Sequence, residues 1–183
     1  PESSARIWIA GHSLGAMLAP RVAALGKGRV RGIVALAAPA RKLLDTMRDQ
    51  IDYLAKQQGL TPDQKETVMQ QLKGSLPQEY IDFDESYSAT ETAKGLDIPM
   101  LFVQGENDYQ VTSADAFMWQ MKLSTKKDVS IRLLPNLNHL LAPSEQMAVP
   151  SDYMTREHKI SPEAIDIIAD FIHHYDKQQA PLP

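Results

Sequence analysis

Four short apolar runs punctuate the chain, and each stops at a glycine or proline. Residues 6–10 (Arg-Ile-Trp-Ile-Ala) end at Gly11, and residues 32–38 (Gly-Ile-Val-Ala-Leu-Ala-Ala) end at Pro39. Residues 99–104 (Pro-Met-Leu-Phe-Val-Gln) end at Gly105, and residues 129–134 (Val-Ser-Ile-Arg-Leu-Leu) end at Pro135. The first three are almost wholly apolar, as expected of strands covered on both faces of a parallel sheet. In the fourth, Val129, Ile131 and Leu133 alternate with Ser130 and Arg132, which places it nearer an edge. Between the runs the apolar period lengthens to that of a helix. Residues 14–25 are rich in Leu, Ala and Met and stop near Gly26. Residues 41–58 carry Leu43, Leu44, Met47, Ile51 and Leu54 on one stripe and stop at Gly59. Thr61-Pro62-Asp63 predicts a capped helix running to about Lys73. Residues 113–123 predict another, with Ser113 as its cap. Ser161-Pro162-Glu163 opens the last, whose face carries Ile165, Ile168, Phe171, Ile172 and Tyr175, and residues 178–183 read as a frayed tail.

This alternation predicts an α/β architecture with a mostly parallel sheet of about four strands flanked by helices, in one domain over residues 1–183. The stretch 41–96 is too long for a simple crossover, contains two amphipathic helices, and reads as a helical insertion or lid within that domain. With 183 residues, 43% apolar and 23% charged, the composition is that of a globular core. A formal net charge of -4 does not indicate a nucleic-acid partner, and no run approaches the length of a membrane-spanning helix. The absence of cysteine excludes disulfides, a thiolate nucleophile and cysteine-containing zinc sites. No phosphate-binding loop, dinucleotide fingerprint or H-E-x-x-H is present, so no cofactor or metal is implied.

The chemistry concentrates in three places. Gly11-His12-Ser13-Leu14-Gly15 matches G-x-S-x-G between a predicted buried strand and a predicted helix, the setting in which a serine hydroxyl projects from the carboxyl edge of a sheet. Glycines on both flanks are expected to relieve crowding at that turn. A serine hydroxyl needs a base, and in this arrangement an acid and then a histidine follow in loops after later strands. After the strand ending at 104 comes Gly105-Glu106-Asn107-Asp108-Tyr109-Gln110-Val111, and after the strand ending at 134 comes Pro135-Asn136-Leu137-Asn138-His139-Leu140. Asp108 competes with Glu106 for the acid role and is preferred. His139 is preferred over His12, which is inside the elbow, over His158 in a polar stretch, and over His173 and His174 on the last helix.

These three segments resemble the nucleophile, acid-loop and histidine-loop motifs of α/β-hydrolases, and are most similar to bacterial carboxylesterases of that superfamily. The resemblance covers nearly the whole chain and corresponds to the C-terminal half of such an enzyme. It implies a partial α/β-hydrolase fold, with Ser13 as nucleophile, His139 as base and then acid, Asp108 orienting the imidazole, and the Leu14 N–H as one oxyanion donor. It also implies cleavage of short-acyl carboxylic esters through an acyl-enzyme; thioester and peptide substrates use the same triad, and a half-hydrolase acting as a binding module is the rival reading. His12, Leu43, Leu44 and Met47 are candidate walls of a substrate pocket. Family members carry strands before the elbow strand that this chain does not show. One edge of the strand at 6–10 is therefore expected to lie uncovered, and to associate with a second copy or with the missing N-terminal segment.

Overall fold

A computed structural model describes residues 7–155 and 157–178. Its elements, in chain order, are β1 (Ile7–His12), α1 (Leu14–Leu25), β2 (Val30–Leu36), α2 (Leu43–Gln58), α3 (Pro62–Ser75), α4 (Gln78–Ser86), α5 (Ala89–Lys94), β3 (Met100–Gly105), α6 (Ser113–Lys122), β4 (Val129–Leu134), α7 (Asp152–Thr155) and α8 (Pro162–Gln178). The four strands form one sheet in the order β1-β2-β3-β4, and every neighbouring pair is parallel. All four carboxyl ends therefore meet at one edge, and the loops that follow β1, β3 and β4 open there. Among the described residues, no helix is long and apolar enough to cross a membrane.

The apolar runs segregate into two cores because the side chains of a strand alternate between faces. On one face Ile33, Ala35, Met100 and Phe102 pack against Ala16, Met17, Ala19 and Ala23 of α1, Ala89 and Ala93 of α5, and Trp119 of α6. Trp119 lies 4.4 Å from Phe102, centroid to centroid, and its indole donates to the Ala38 carbonyl at 2.9 Å, so its polar atom is satisfied inside the core. On the other face Val34, Leu101, Val103 and Leu134 meet Ala164, Ile167, Ile168, Phe171 and Ile172, the apolar stripe of α8. β3 is buried throughout. β4 is an edge strand, as its alternation predicts, and its partly exposed pattern follows from that.

Two expectations need correction. The region 41–96 holds four helices rather than two. The additional α4 and α5 span only 9 and 6 residues, too short to display a helical period in sequence. Helix α6 is preceded by Thr112 in extended conformation, so Thr112 takes the cap position and Ser113 is its first helical residue. The end of the expected tail, residues 179–183, lies outside the described residues.

Helix α3 begins as its sequence indicates. The Thr61 hydroxyl accepts from the Gln64 N–H while the Gln64 side chain takes the Thr61 N–H, a reciprocal capping box that satisfies two orphan donors. Helix α2 is started differently: buried Asp84 of α4 accepts from the N–H groups of Leu43 (2.8 Å) and Leu44 (3.2 Å), placing a negative charge at the positive end of the helix dipole.

Candidate active site

Ser13 joins β1 to α1 at φ 56° and ψ -122°, a backbone conformation that L-residues rarely adopt. It is held there from both sides: its N–H donates to the Leu36 carbonyl (2.9 Å), and its carbonyl accepts from Ala16 and Met17 in the first turn of α1. The turn is sharp enough that a Cβ on Gly11 would lie 2.5 Å from the Gly15 carbonyl oxygen, so position 11 must be glycine. Position 15 is different. A Cβ there meets nothing within 4 Å, and steric crowding does not account for the second glycine. The first-turn N–H groups of α1, those of Leu14 and Gly15, have no acceptor within the helix and stand beside the serine. Ser13 is partly buried, and its hydroxyl makes no hydrogen bond among the described residues.

The acid and histidine loops are fused backbone to backbone. Gly105 permits this: a Cβ on it would lie 2.3 Å from the Leu137 carbonyl oxygen. The Asn107 N–H donates to that same carbonyl (2.9 Å), and the Glu106 N–H donates to Leu134 (2.9 Å). Asp108 is 0% exposed and His139 5% exposed. The Asp108 Oδ2 lies 2.8 Å from His139 Nδ1. A carboxylate only accepts, so Nδ1–H donates to Asp108, and in the neutral imidazole Nε2 keeps its lone pair. The remaining acceptor capacity of Asp108 is filled by the N–H groups of Gln110 (2.7 Å) and Val111 (3.0 Å) at Oδ1 and by Gln104 Nε2 (3.0 Å) at Oδ2. Glu106, the other candidate acid, is exposed.

His139 is set in turn by Asn138, whose side-chain oxygen accepts from the N–H groups of Leu140 (2.9 Å) and Ala142 (3.2 Å) and so turns the chain tightly behind the imidazole. His12 links the elbow to this loop. Its Nε2 donates to the His139 carbonyl at 2.7 Å, and the two rings lie 4.7 Å apart. The elbow, the acid and the histidine thus meet at one sheet edge.

His12 also lines an apolar pocket of about 240 Å³ with Leu36, Leu140, Leu141, His158 and Ile160. Of the other candidate pocket residues, Leu43 is buried in the core on the α1 face of the sheet, Met47 packs against that core, and Leu44 is half-buried. His158 lies 5.7 Å from Tyr153, centroid to centroid, with the rings tilted by 47°; the His158 Nε2 is buried without a hydrogen-bond partner among the described residues, and the Tyr153 hydroxyl is buried beside the His139 backbone and the Gln110 side chain. Burial pushes the Tyr153 phenol up to about 12, and the negative charge of Asp108 acts in the same direction.

Sequence reasoning did not anticipate Gln104, Asn138, Tyr153 or His158 at the site. One of them left a signal: Gln104 is the polar residue ending an otherwise apolar buried strand, a position a core does not tolerate without a partner.

The sheet, the elbow and the order of the loops define an α/β-hydrolase fold. The family model for the prolyl oligopeptidase family matches residues 3–155, and the chain belongs to that family. It is similar to the esterase EstD of Thermotoga maritima, with 37% identity over 177 residues covering 90% of this chain and 42% of that protein. The chain thus spans about two-fifths of that relative's length. Two solved structures share the fold at low identity. The Pyrococcus furiosus esterase Pf2001 gives a TM-score of 0.56 at 17% identity, covering 96% of this chain and 56% of its own. Acetyl xylan esterase 1 from a Thermoanaerobacterium species gives 0.56 at 18% identity, covering 94% and 46%.

Proposed function

We propose that this chain carries the triad of a serine hydrolase that cleaves carboxylic esters, with Ser13 as nucleophile, His139 as general base and acid, and Asp108 as the group that orients the imidazole. The observation that carries this reading is the buried Asp108–His139 pair at 2.8 Å, on the same sheet edge as a serine held at φ 56°. The His139 Nε2 lone pair takes the Ser13 proton as the oxygen attacks the ester carbonyl. The alkoxide oxygen so formed is stabilised by the Leu14 N–H, and His139 returns the proton to the leaving alcohol. Water then repeats the sequence on the acyl-enzyme. Asp108 stays ionised throughout and stabilises the imidazolium. The esterase relative supports ester substrates over thioesters or peptides, and short acyl groups are the proposed preference.

The open edge of β1 belongs to the same reading. An apolar strand at the end of a parallel sheet calls for a partner strand, and we propose that a preceding segment of a longer chain, or a second copy, supplies it. A monomer in sedimentation at micromolar concentration, with no added segment, counts against the second copy.

Fluorophosphonate labelling with intact-mass detection tests the triad. One adduct is expected on the wild type, none on Ser13→Ala, and slow labelling on His139→Ala. Undiminished labelling of Ser13→Ala would overturn the assignment.

A further inference from the structure

The acid loop is gripped from outside the triad by the helical insertion, at the peptide group that braces Asp108. Gln50 of α2 donates from Nε2 to the Gln110 carbonyl oxygen at 2.9 Å. That carbonyl shares one planar peptide with the Val111 N–H, which donates to Asp108 Oδ1 at 3.0 Å. The result is a continuous relay: Gln50 amide, 110–111 peptide, Asp108 carboxylate, His139 imidazole. Hydrogen bonds in series polarise one another, so accepting from Gln50 makes the Val111 N–H a better donor to the carboxylate. One helical turn further on, Tyr53 stacks on Tyr109 with centroids 5.1 Å apart and ring planes 23° apart, which holds the residue between Asp108 and Gln110. Tyr109 is itself buried against the protein.

Helix α2 can act as a clamp because it is fixed elsewhere. Arg41, just before it, bridges Asp49 of α2 (2.6 Å) and Asp115 of α6 (2.8 Å). Asp115 is fully buried and also takes the Ala40 N–H at 2.9 Å. The carboxylate pair holds the Arg41 guanidinium well above its ordinary range. Helix α6 begins where the acid loop ends, so the insertion is anchored at the far end of the loop and grips it again at the middle.

We propose that Gln50 and Tyr53 are positioning residues for the acid of the triad, and that the insertion serves to set the Asp108 carboxylate against His139 through the 110–111 peptide. This rests on the triad reading above. The insertion would then tune the rate of the chemical step.

The test pairs Gln50→Leu and Gln50→Glu with Gln57→Leu, an exposed position near the end of the same helix. Two signals are followed. One is the downfield proton resonance of His139 Nδ1–H, identified by its loss in Asp108→Asn and observable without turnover. The other is the rate of fluorophosphonate labelling, with kcat and KM for an ester. In Gln50→Leu the resonance broadens through faster exchange, labelling and kcat fall about tenfold, and KM stays within twofold. Gln50→Glu, which sets a carboxylate against a carbonyl, gives at least the same loss should the leucine variant fold poorly. Gln57→Leu changes neither signal. A sharp wild-type resonance and unchanged labelling in both Gln50 variants would overturn the clamp and leave the triad standing. A wild-type chain that never labels, but whose resonance broadens in Gln50→Leu, would overturn the hydrolase reading and keep the clamp.

Discussion

The two sides of the site are enclosed to different degrees. On one side Asp108 and His139 sit almost entirely out of solvent, with every carboxylate oxygen engaged and the two loops joined backbone to backbone at Gly105. On the other side Ser13 is half-buried, its strand is one of the two edge strands of the sheet, and the helix behind it leaves Val22 and Leu25 exposed at 52% and 67%. Apart from Arg21, helix α1 is apolar around its circumference. The acid–base side is held by contacts among the described residues, whereas the elbow side presents exposed apolar residues on β1 and α1. Backbone strain is present on both sides: Ser13 has φ 56° at the open side, and Asn136 (φ 56°) and Leu141 (φ 54°) flank His139 on the closed side.

The largest effects should separate the two sides by opposite signs in stability. Ser13→Ala and Asp108→Asn are each expected to lower ester turnover on the order of 10⁴-fold, read as kcat/KM. Their glycine and alanine counterparts diverge. Ser13→Gly relieves the φ 56° conformation and should raise stability by about 1 kcal/mol in denaturant titration. Asp108→Ala leaves the N–H groups of Gln110 and Val111 and the His139 Nδ1–H buried without an acceptor, and should cost about 2–4 kcal/mol. A destabilised Ser13→Gly would mean the elbow is held by more than its described contacts, and would break the comparison.

Next in size are the glycines. Gly105→Ala drives a methyl group into backbone oxygens at 2.3 and 2.8 Å and should cost about 2–4 kcal/mol while separating the acid and histidine loops. Gly15→Ala, on the open side, meets nothing and sits in the first turn of α1, where alanine is the better helix former. It should be neutral or stabilising by up to about 1 kcal/mol. Urea midpoints of the two variants decide the matter. A large loss in Gly15→Ala would show that the open side is more crowded than the described residues make it.

The two sides were also unequally legible in the sequence. The elbow announced itself through Gly11-His12-Ser13, because a strand-to-helix turn this tight leaves room only for glycine at 11. Strands β2 and β3 were legible because parallel burial leaves near-continuous apolar runs, β1 is as apolar but only partly buried, and the placement of Asp108 and His139 in loops after β3 and β4 followed from chain order. What remained hidden was whatever depends on contacts between distant segments. Gln50 reaches Gln110 across 60 residues, and no local pattern on α2 distinguishes it from an ordinary polar position. Helices α4 and α5 escaped because 9 and 6 residues do not complete enough turns to show a period. The buried character of His158 Nε2 was masked by the charged residues beside it, Glu157 and Lys159.

The smallest expected effect concerns pH and tests how closed the acid–base side is. Burial and the charge of Asp108 raise the Tyr153 phenol to about 12 in the folded chain, against about 10 in an unfolded one. The neutral phenol is therefore the form that folding favours. Between these two values the folded state binds more protons than the unfolded state, so stability falls as pH rises through this window and is unaffected by the group below it. Difference absorbance of wild type against Tyr153→Phe should show a phenolate appearing near the upper value, and the downward slope of stability with alkaline pH should be shallower in the variant. A Tyr153 that ionises near pH 10 would mean that water reaches the space between α7 and His139, and that the acid–base side is as open as the elbow.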